Sequence, residues 1–152
     1  MRKKERAMIP EECLEFLKAE EVGRLGLTDG KTLYIVPVNF VLYNGRIYIH
    51  SAKEGLKIDL IKHDNRVCFE VDKFYGLKRA DAACDFAAMY KSVIVFGRVR
   101  FIDSEKWKFE VLTQLMNKYA GKNYPEIDKS ETRKTTILEI SLDKITGKEA
   151  HV

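Results

Sequence analysis

Apolar and polar residues alternate with a period of two over several short stretches of this chain, and turn signals separate those stretches. Residues 23–27 (GRLGL) form the first, closed by Thr28-Asp29-Gly30-Lys31. An Asp-Gly pair between two β-like runs predicts a hairpin. In residues 33–43 (LYIVPVNFVLY) the alternation points Ile35 one way and Val36, Val38 and Phe40 the other, leaving Asn39 on the side of Pro37. Pro37 cannot donate to a ladder, which puts it at an edge, a bulge or a barrel corner. After an Asn44-Gly45 turn, residues 46–50 set Ile47 and Ile49 against Tyr48 and His50. Residues 66–72 (RVCFEVD) place Val67, Phe69 and Val71 on one face, with Cys68 and Glu70 on the other. Residues 90–103 carry the longest β signal, with Gly97 read as a bulge. Residues 135–142 predict a half-buried strand, with Leu138, Ile140 and Leu142 opposed to Ile137, Glu139 and Ser141.

Helical spacing interrupts this pattern three times. A helix beginning near Pro10 has Glu11 and Glu12 suitably placed for its N-terminal dipole, and Leu14, Leu17 and Val22 can share its inward face. A short helix over residues 55–63 turns Leu56, Leu60 and Ile61 inward. Ser104 is an N-cap for a helix running to Tyr119 and closed by Gly121. Its stripe of Trp107, Val111, Leu115 and Tyr119 reads as core or subunit contact. Residues 73–89 read as a loop over the site, residues 122–134 as a polar linker, and DKITGKEAHV as a tail. Short strands joined by tight turns, with two or three helices, predict a mainly β fold: an antiparallel barrel with appended helices, one domain over residues 1–152.

Composition narrows the classes. Of 152 residues, 45% are hydrophobic and 33% charged, as in an ordinary globular chain, and the net charge is only +4. Three cysteines (Cys13, Cys68, Cys84) with no CxxC pair and no metal-ligand spacing suggest free thiols in a reducing compartment, and no metal site. The charged start MRKKERAMIPEE has no apolar run behind it, and no stretch of 18 apolar residues exists. A cytoplasmic protein with no membrane span is therefore expected. Arg2, Lys3, Lys4 and Arg6 read as a solvated or loosely docked tail. Gly30-Lys31-Thr32 looks like the end of a P-loop, but the position six before Lys31 is Leu25, and a strand follows where a helix should.

Candidate chemistry gathers after the strand that ends at His50. Ser51, Ala52, Lys53, Glu54 and Gly55 form a loop, and Lys57 opens the helix behind it. Backbone N–H groups, a hydroxyl and lysines at a helix start make a physical site for a phosphate. Small polar loops have the same composition, so the spacing by itself leaves both readings open. Asn39 either closes a backbone kink after Pro37 or meets a ligand. His50 is either a structural strand-end histidine or a functional one. Ser92 either reaches a phosphate or sits in its ladder.

In order along the chain, GRLGL, YIVPVNF, YIHSAKEGLKIDLI, RVCFEVD, SVIVFGRVRFI and the terminal ITGKE resemble the pyridoxamine 5′-phosphate oxidase-like split-barrel flavoproteins. Within them the chain is most similar to the 5-nitroimidazole-resistance branch. That resemblance implies a six-stranded antiparallel split barrel, and a homodimer holding flavin mononucleotide (FMN) in two interface clefts. It implies a phosphate role for Lys57, with Ser51, Ala52 and Lys53 beside it and Arg24 as a further phosphate partner. Val36, Val38 and Asn39 match the strand lining the flavin ring, His50 a histidine near that ring, and Ser92 a strand position near the cofactor. The implied activity is flavin-dependent reduction of nitroaromatic or other electron-poor small molecules, with His50 either supplying a proton or hydrogen-bonding flavin or ligand.

The chain departs from the pyridoxamine phosphate oxidases themselves. Their phosphate loop carries an Arg-Lys pair where Ala52-Lys53-Glu54-Gly55-Leu56-Lys57 stands here, and their terminal arginine and histidine pattern is missing, which argues against vitamin B6 oxidation. A flavin-binding or sensing module without turnover is the alternative of a different class. A nucleic-acid-binding barrel is disfavoured because no strand exposes an aromatic and basic stripe.

Overall fold

One long strand belongs to two sheets, and the barrel is built around it. In the computed structural model, which describes residues 4–121 and 123–150, the elements run as follows. A 3-10 turn (Lys4–Arg6) leads into β1 (Ala7–Met8), α1 (Pro10–Ala19), β2 (Val22–Thr28), β3 (Leu33–Asn39), β4 (Val41–Tyr43) and β5 (Arg46–Ala52). Then come α2 (Leu56–His63), β6 (Arg66–Lys78), β7 (Ala87–Ile102), α3 (Glu105–Ala120), α4 (Lys129–Lys134), β8 (Thr135–Ile140) and β9 (Lys144–Ala150). The strand order is β3-β2-β6-β7-β8-β5-β4, all pairings antiparallel, with β9 joining β7 to β1. The fold is thus the mainly β split barrel with appended helices.

Along one edge, β7 pairs with β9 from Tyr90 to Phe96 and then with β8 from Val99 to Ile102. The exchange happens at Gly97, which is no bulge: Val67 faces it in unbroken register, and the only register shift of the β6–β7 pair lies between Phe74 and Gly76. A Cβ at Gly97 would run into the Ser141 carbonyl oxygen. Arg98 accepts from Ser141 N–H at 3.1 Å, and its own N–H donates to Ser141 Oγ at 2.9 Å. Glycine is needed there for space.

Several sequence expectations hold. The Asp29-Gly30 hairpin joins β2 to β3, with the Asp29 carboxylate accepting from Lys31 N–H (2.9 Å) and Thr32 N–H (2.6 Å). Asn44 and Gly45 take positive φ in the β4–β5 turn. Ser104 caps α3 by accepting from Trp107 N–H. Pro37 lies in β3, an edge of the sheet.

Others are corrected. The run over residues 33–43 breaks at Phe40, whose ring is fully buried against Phe69 at 4.9 Å. Residues 73–89 are mostly not loop, because β6 and β7 extend as a two-stranded ribbon to Lys78 and from Ala87. The linker contains α4, and the supposed tail is β9. Val22 and Leu56 face solvent, and Ile58 takes the inward place expected of Leu56.

The strand over residues 135–142 is not half-buried. It ends at Ile140, and Ile137, Leu138, Glu139 and Ile140 are all buried because α3 covers the face that a solvated sheet would expose. Alternation gives the interior one cluster, with Ile47, Ile49, Phe69, Val95, Leu138 and Ile140, while Tyr48, Ile137, Val111 and Leu115 make a second cluster under α3. Glu139 survives burial because its carboxylate accepts from Tyr48 O–H (2.8 Å) and from Arg100 at 2.9 and 3.1 Å. Burial and this carboxylate push the Tyr48 phenol up to about 12.

Gly97→Ala is expected to lower unfolding stability by about 2–3 kcal/mol or more, since the Ser141 backbone must move. Chemical denaturation checks this; Gly45→Ala, which meets no neighbouring atom and costs only the strain of its φ of 70°, is expected to lose less.

Candidate functional site

Residues from β3, β5, α2 and α3 meet at the end of β5 away from its turn. His50 and Asn39 share a cavity of about 340 Å³ with Leu112, Leu115, Met116 and Tyr119 of α3. The period of two makes this possible: Tyr48 and His50 leave β5 on the side that α3 covers, while Ile47, Ile49 and Ser51 enter the barrel.

Tyr119 fixes the corner. Its hydroxyl accepts from Phe40 N–H at 2.9 Å and lies 2.6 Å from Glu21 O and 3.0 Å from Phe40 O. The break between β3 and β4 is thereby hydrogen-bonded although no strand pairs with it. Asn39 also serves this corner, donating to Glu21 O at 3.3 Å. Beside it, the Lys118 ammonium donates to Glu20 O at 2.6 Å and lies 3.9 Å from the centre of the Phe40 ring. Burial pushes Lys118 down to about 8.

The loop behind His50 leads into α2 through Gly55, whose φ of 109° is open to glycine but strained for other residues. Gly55 O accepts from Ile58 N–H (2.9 Å) and Asp59 N–H (3.1 Å), so α2 starts at once. In its first turn Lys57 is half-buried, and burial pulls its pKa below the ordinary lysine value. Among the described residues it has no carboxylate partner. His50 is lowered as well, first by desolvation and then by the positive charge of Lys57. His50 is exposed at the mouth of the cavity and Lys57 half-buried beside it, so the corner carries positive charge partly withdrawn from water.

The residues singled out in the sequence divide into those that meet here and those that do not. His50, Asn39 and Lys57 do. Ala52 and Lys53 are exposed on the loop between them, whereas Ser51 is buried and faces inward across from Thr136. Val38 is buried and Val36 packs on the same interior cluster, so neither side chain faces this corner. Arg24 lies on the outer face opposite Pro37, and its guanidinium is held by Glu70 (3.0 Å) and Asp72 (2.5 Å). Ser92 sits between Asp72 and Lys148 on the other sheet, away from the His50 corner. Leu115 and Tyr119 belong to the i, i+4 packing stripe visible in the sequence, but the histidine they meet, and the part played by Leu112 and Met116, were not visible there. Arg2, Lys3 and His151 lie outside the described residues; β1, which follows the basic arm, is paired with β9.

Among the described residues, no group of three His, Cys, Asp or Glu side chains could hold a metal ion, and no helix is long and apolar enough to cross a membrane.

This architecture is that of the pyridoxamine 5′-phosphate oxidase-like split barrels. The family model described as pyridoxamine 5′-phosphate oxidase matches residues 10–149, and the chain belongs to that family. Among solved structures it is similar to a candidate 5-nitroimidazole antibiotic resistance protein from Bacteroides thetaiotaomicron, with 26% identity over 93% of this chain and 85% of that one and a TM-score of 0.79. An FAD-binding protein from Mycobacterium smegmatis matches at 26% identity over 95% and 99% of the two chains, with a TM-score of 0.61. The flavocytochrome Anf3 of Azotobacter vinelandii shares the fold at 21% identity over 99% and 72% of the two chains, with a TM-score of 0.85. No curated protein matches the chain.

Replacing Lys57 by alanine removes the second cause of the lowered His50 pKa and leaves the first. The His50 titration midpoint, followed by NMR, is therefore expected to rise in Lys57→Ala without fully regaining the ordinary value of about 6.5. The sign for stability follows. Folded His50 binds its proton more weakly than the unfolded chain does, so its stabilising contribution is complete above about pH 6.5 and is lost as pH falls through the lowered value.

Proposed function

We propose that the chain binds FMN as a homodimer and passes electrons to nitroaromatic or other electron-poor small molecules. The observation that carries this reading is the half-buried Lys57 ammonium, which has no carboxylate partner among the described residues and opens a helix beside the β3 edge. A phosphate there gains charge-assisted hydrogen bonds and restores the stability of the desolvated cation. Lys53 and the backbone N–H groups of the loop before α2 add donors to the same group. At the β3 edge, where Val36 and Val38 turn their own peptide groups to β2, the Asn39 peptide would hold the edge of a flat ring. Bound flavin would supply the redox step.

Apolar surface supports the dimer. On the outer face of the first sheet, Leu33 (88%), Ile35 (71%) and Phe96 (47%) are exposed, in line with Cys68 and Gly26 across the strands. A second copy is the occupant proposed for this face, and it would bring Ser92 to a cofactor held by the partner.

Neutral His50 suits a hydrogen-bonding role at neutral pH better than that of a ready acid, because its lowered pKa keeps it uncharged. That observation also favours a second reading, a flavin-binding module without turnover. The acceptor range of the FMN-loaded protein separates the two.

Titration of the protein with FMN, followed by flavin fluorescence and by sedimentation, is expected to show saturable binding to a dimer. Lys57→Ala should weaken binding about 10- to 100-fold, as for loss of a charge-assisted contact. Absence of saturable FMN binding by the wild-type chain refutes the cofactor; binding by a monomer refutes the shared cleft.

A further inference from the structure

At the opposite end of β5 from the Lys57 corner, about 20 Å away at roughly 3.3 Å per residue, three arginines surround a second cavity. It measures about 460 Å³ and is lined by Arg46, Arg98, Arg100, Asn65, Glu139 and Ser141. Arg66 stands directly across from Arg98 in the β6–β7 pair.

The carboxylates nearby do not satisfy this charge. Buried Glu139 is fully engaged, by Tyr48 on one oxygen and Arg100 on the other. Arg46 reaches it only at 3.7 Å, beyond hydrogen-bonding distance. Asp64 is gripped by Arg66 through Nε and Nη2 at 2.6 to 3.0 Å, and Arg66 first, with Arg98 as a minor contributor, holds its pKa down to about 2. Among the described residues, the Arg98 guanidinium hydrogen-bonds a neutral acceptor, Asn65 Oδ1 at 3.2 Å, and no carboxylate. Three guanidiniums therefore line the cavity against one carboxylate, Glu139, which is already in use, and the neighbouring Arg66–Asp64 pair is closed on itself.

The frame beneath them is rigid and oriented. Asn65 Nδ2 donates to Val99 O at 3.3 Å, which turns Oδ1 towards Arg98 and fixes where the guanidinium points. The backbone of Val99 donates to Asn65 O at 2.8 Å, and Ser141 is tied to Arg98 through both of its N–H···O contacts. The close approach at Gly97 thus also sets the floor of this cavity.

We infer that the Arg46–Arg98–Arg100 cavity is a second anion site, separate from the Lys57 corner, which takes a multivalent phosphate group such as that of a phosphorylated small molecule. Guanidinium forks bind phosphate oxygens in pairs, and two of them lack hydrogen-bonded carboxylates here, which matches a dianion or greater. The cavity volume suits a small molecule.

The test uses the full chain as Lys57→Ala, in which the other anion corner is disabled. Inorganic pyrophosphate is titrated in, followed by calorimetry and by arginine Nε–H resonances. Saturable one-to-one binding is expected, weakened about tenfold or more when Arg46→Gln and Arg98→Gln are added. Arg98→Lys, which keeps the charge and loses the fork, should fall between and covers the case in which the glutamine variant does not fold. No saturable binding, or binding unchanged by these substitutions, overturns the inference. Citrate binding more tightly than pyrophosphate overturns the phosphate assignment. If Arg46→Gln with Arg98→Gln in the otherwise wild-type chain abolishes FMN binding, the cluster belongs to the flavin site and a separate site is refuted.

Discussion

The close contact between Gly97 and Ser141 is the constraint from which the barrel follows. A strand of 16 residues can serve two sheets only if one partner leaves and another arrives without opening a gap. At β7 the handover takes place where the incoming backbone lies against a residue with no side chain. β8 then brings Glu139 alongside Arg100 and Leu138 alongside Phe101, and β5 takes its register from β8. The position of His50 opposite Ile137, and so under α3, descends from that single crossing.

The placement of α3 is the second determinant. It turns a half-solvated sheet face into a second core, which is why Tyr48 and Glu139 are buried together. It also ends in Tyr119, whose one hydroxyl satisfies the main chain at Phe40 and reaches Glu21. Packing, backbone satisfaction and the wall of the His50 cavity therefore come from one helix. The His50 corner is made of parts that also hold the barrel together.

The strands and hairpins were legible in the chain because Asp29-Gly30 and Asn44-Gly45 mark turns by backbone chemistry, and because Val67, Phe69 and Val71 alternate without interruption. Lys57 and His50 were legible as neighbours because a short loop joins their elements. What stayed hidden depended on distant segments. The strand at residues 144–150 has an ordinary polar composition, and only pairing with β7 and β1 makes it β. The inward turn of Val36 and Val38 was visible. That Arg24 is occupied by Glu70 and Asp72, 46 and 48 positions away, could not be read from local spacing. The family resemblance put Ser92 near the cofactor that Lys57 would hold, whereas the fold sets it between Asp72 and Lys148, away from the His50 corner.

An exposed strand edge such as β3 can also template unwanted association, because its free peptide groups invite another chain to add to the sheet. Pro37 sits in the middle of that edge and offers no N–H for an incoming strand to grip. Pro37 thus guards the molecule against growing into ribbons of stacked copies, while β2 still pairs along the whole length of its strand.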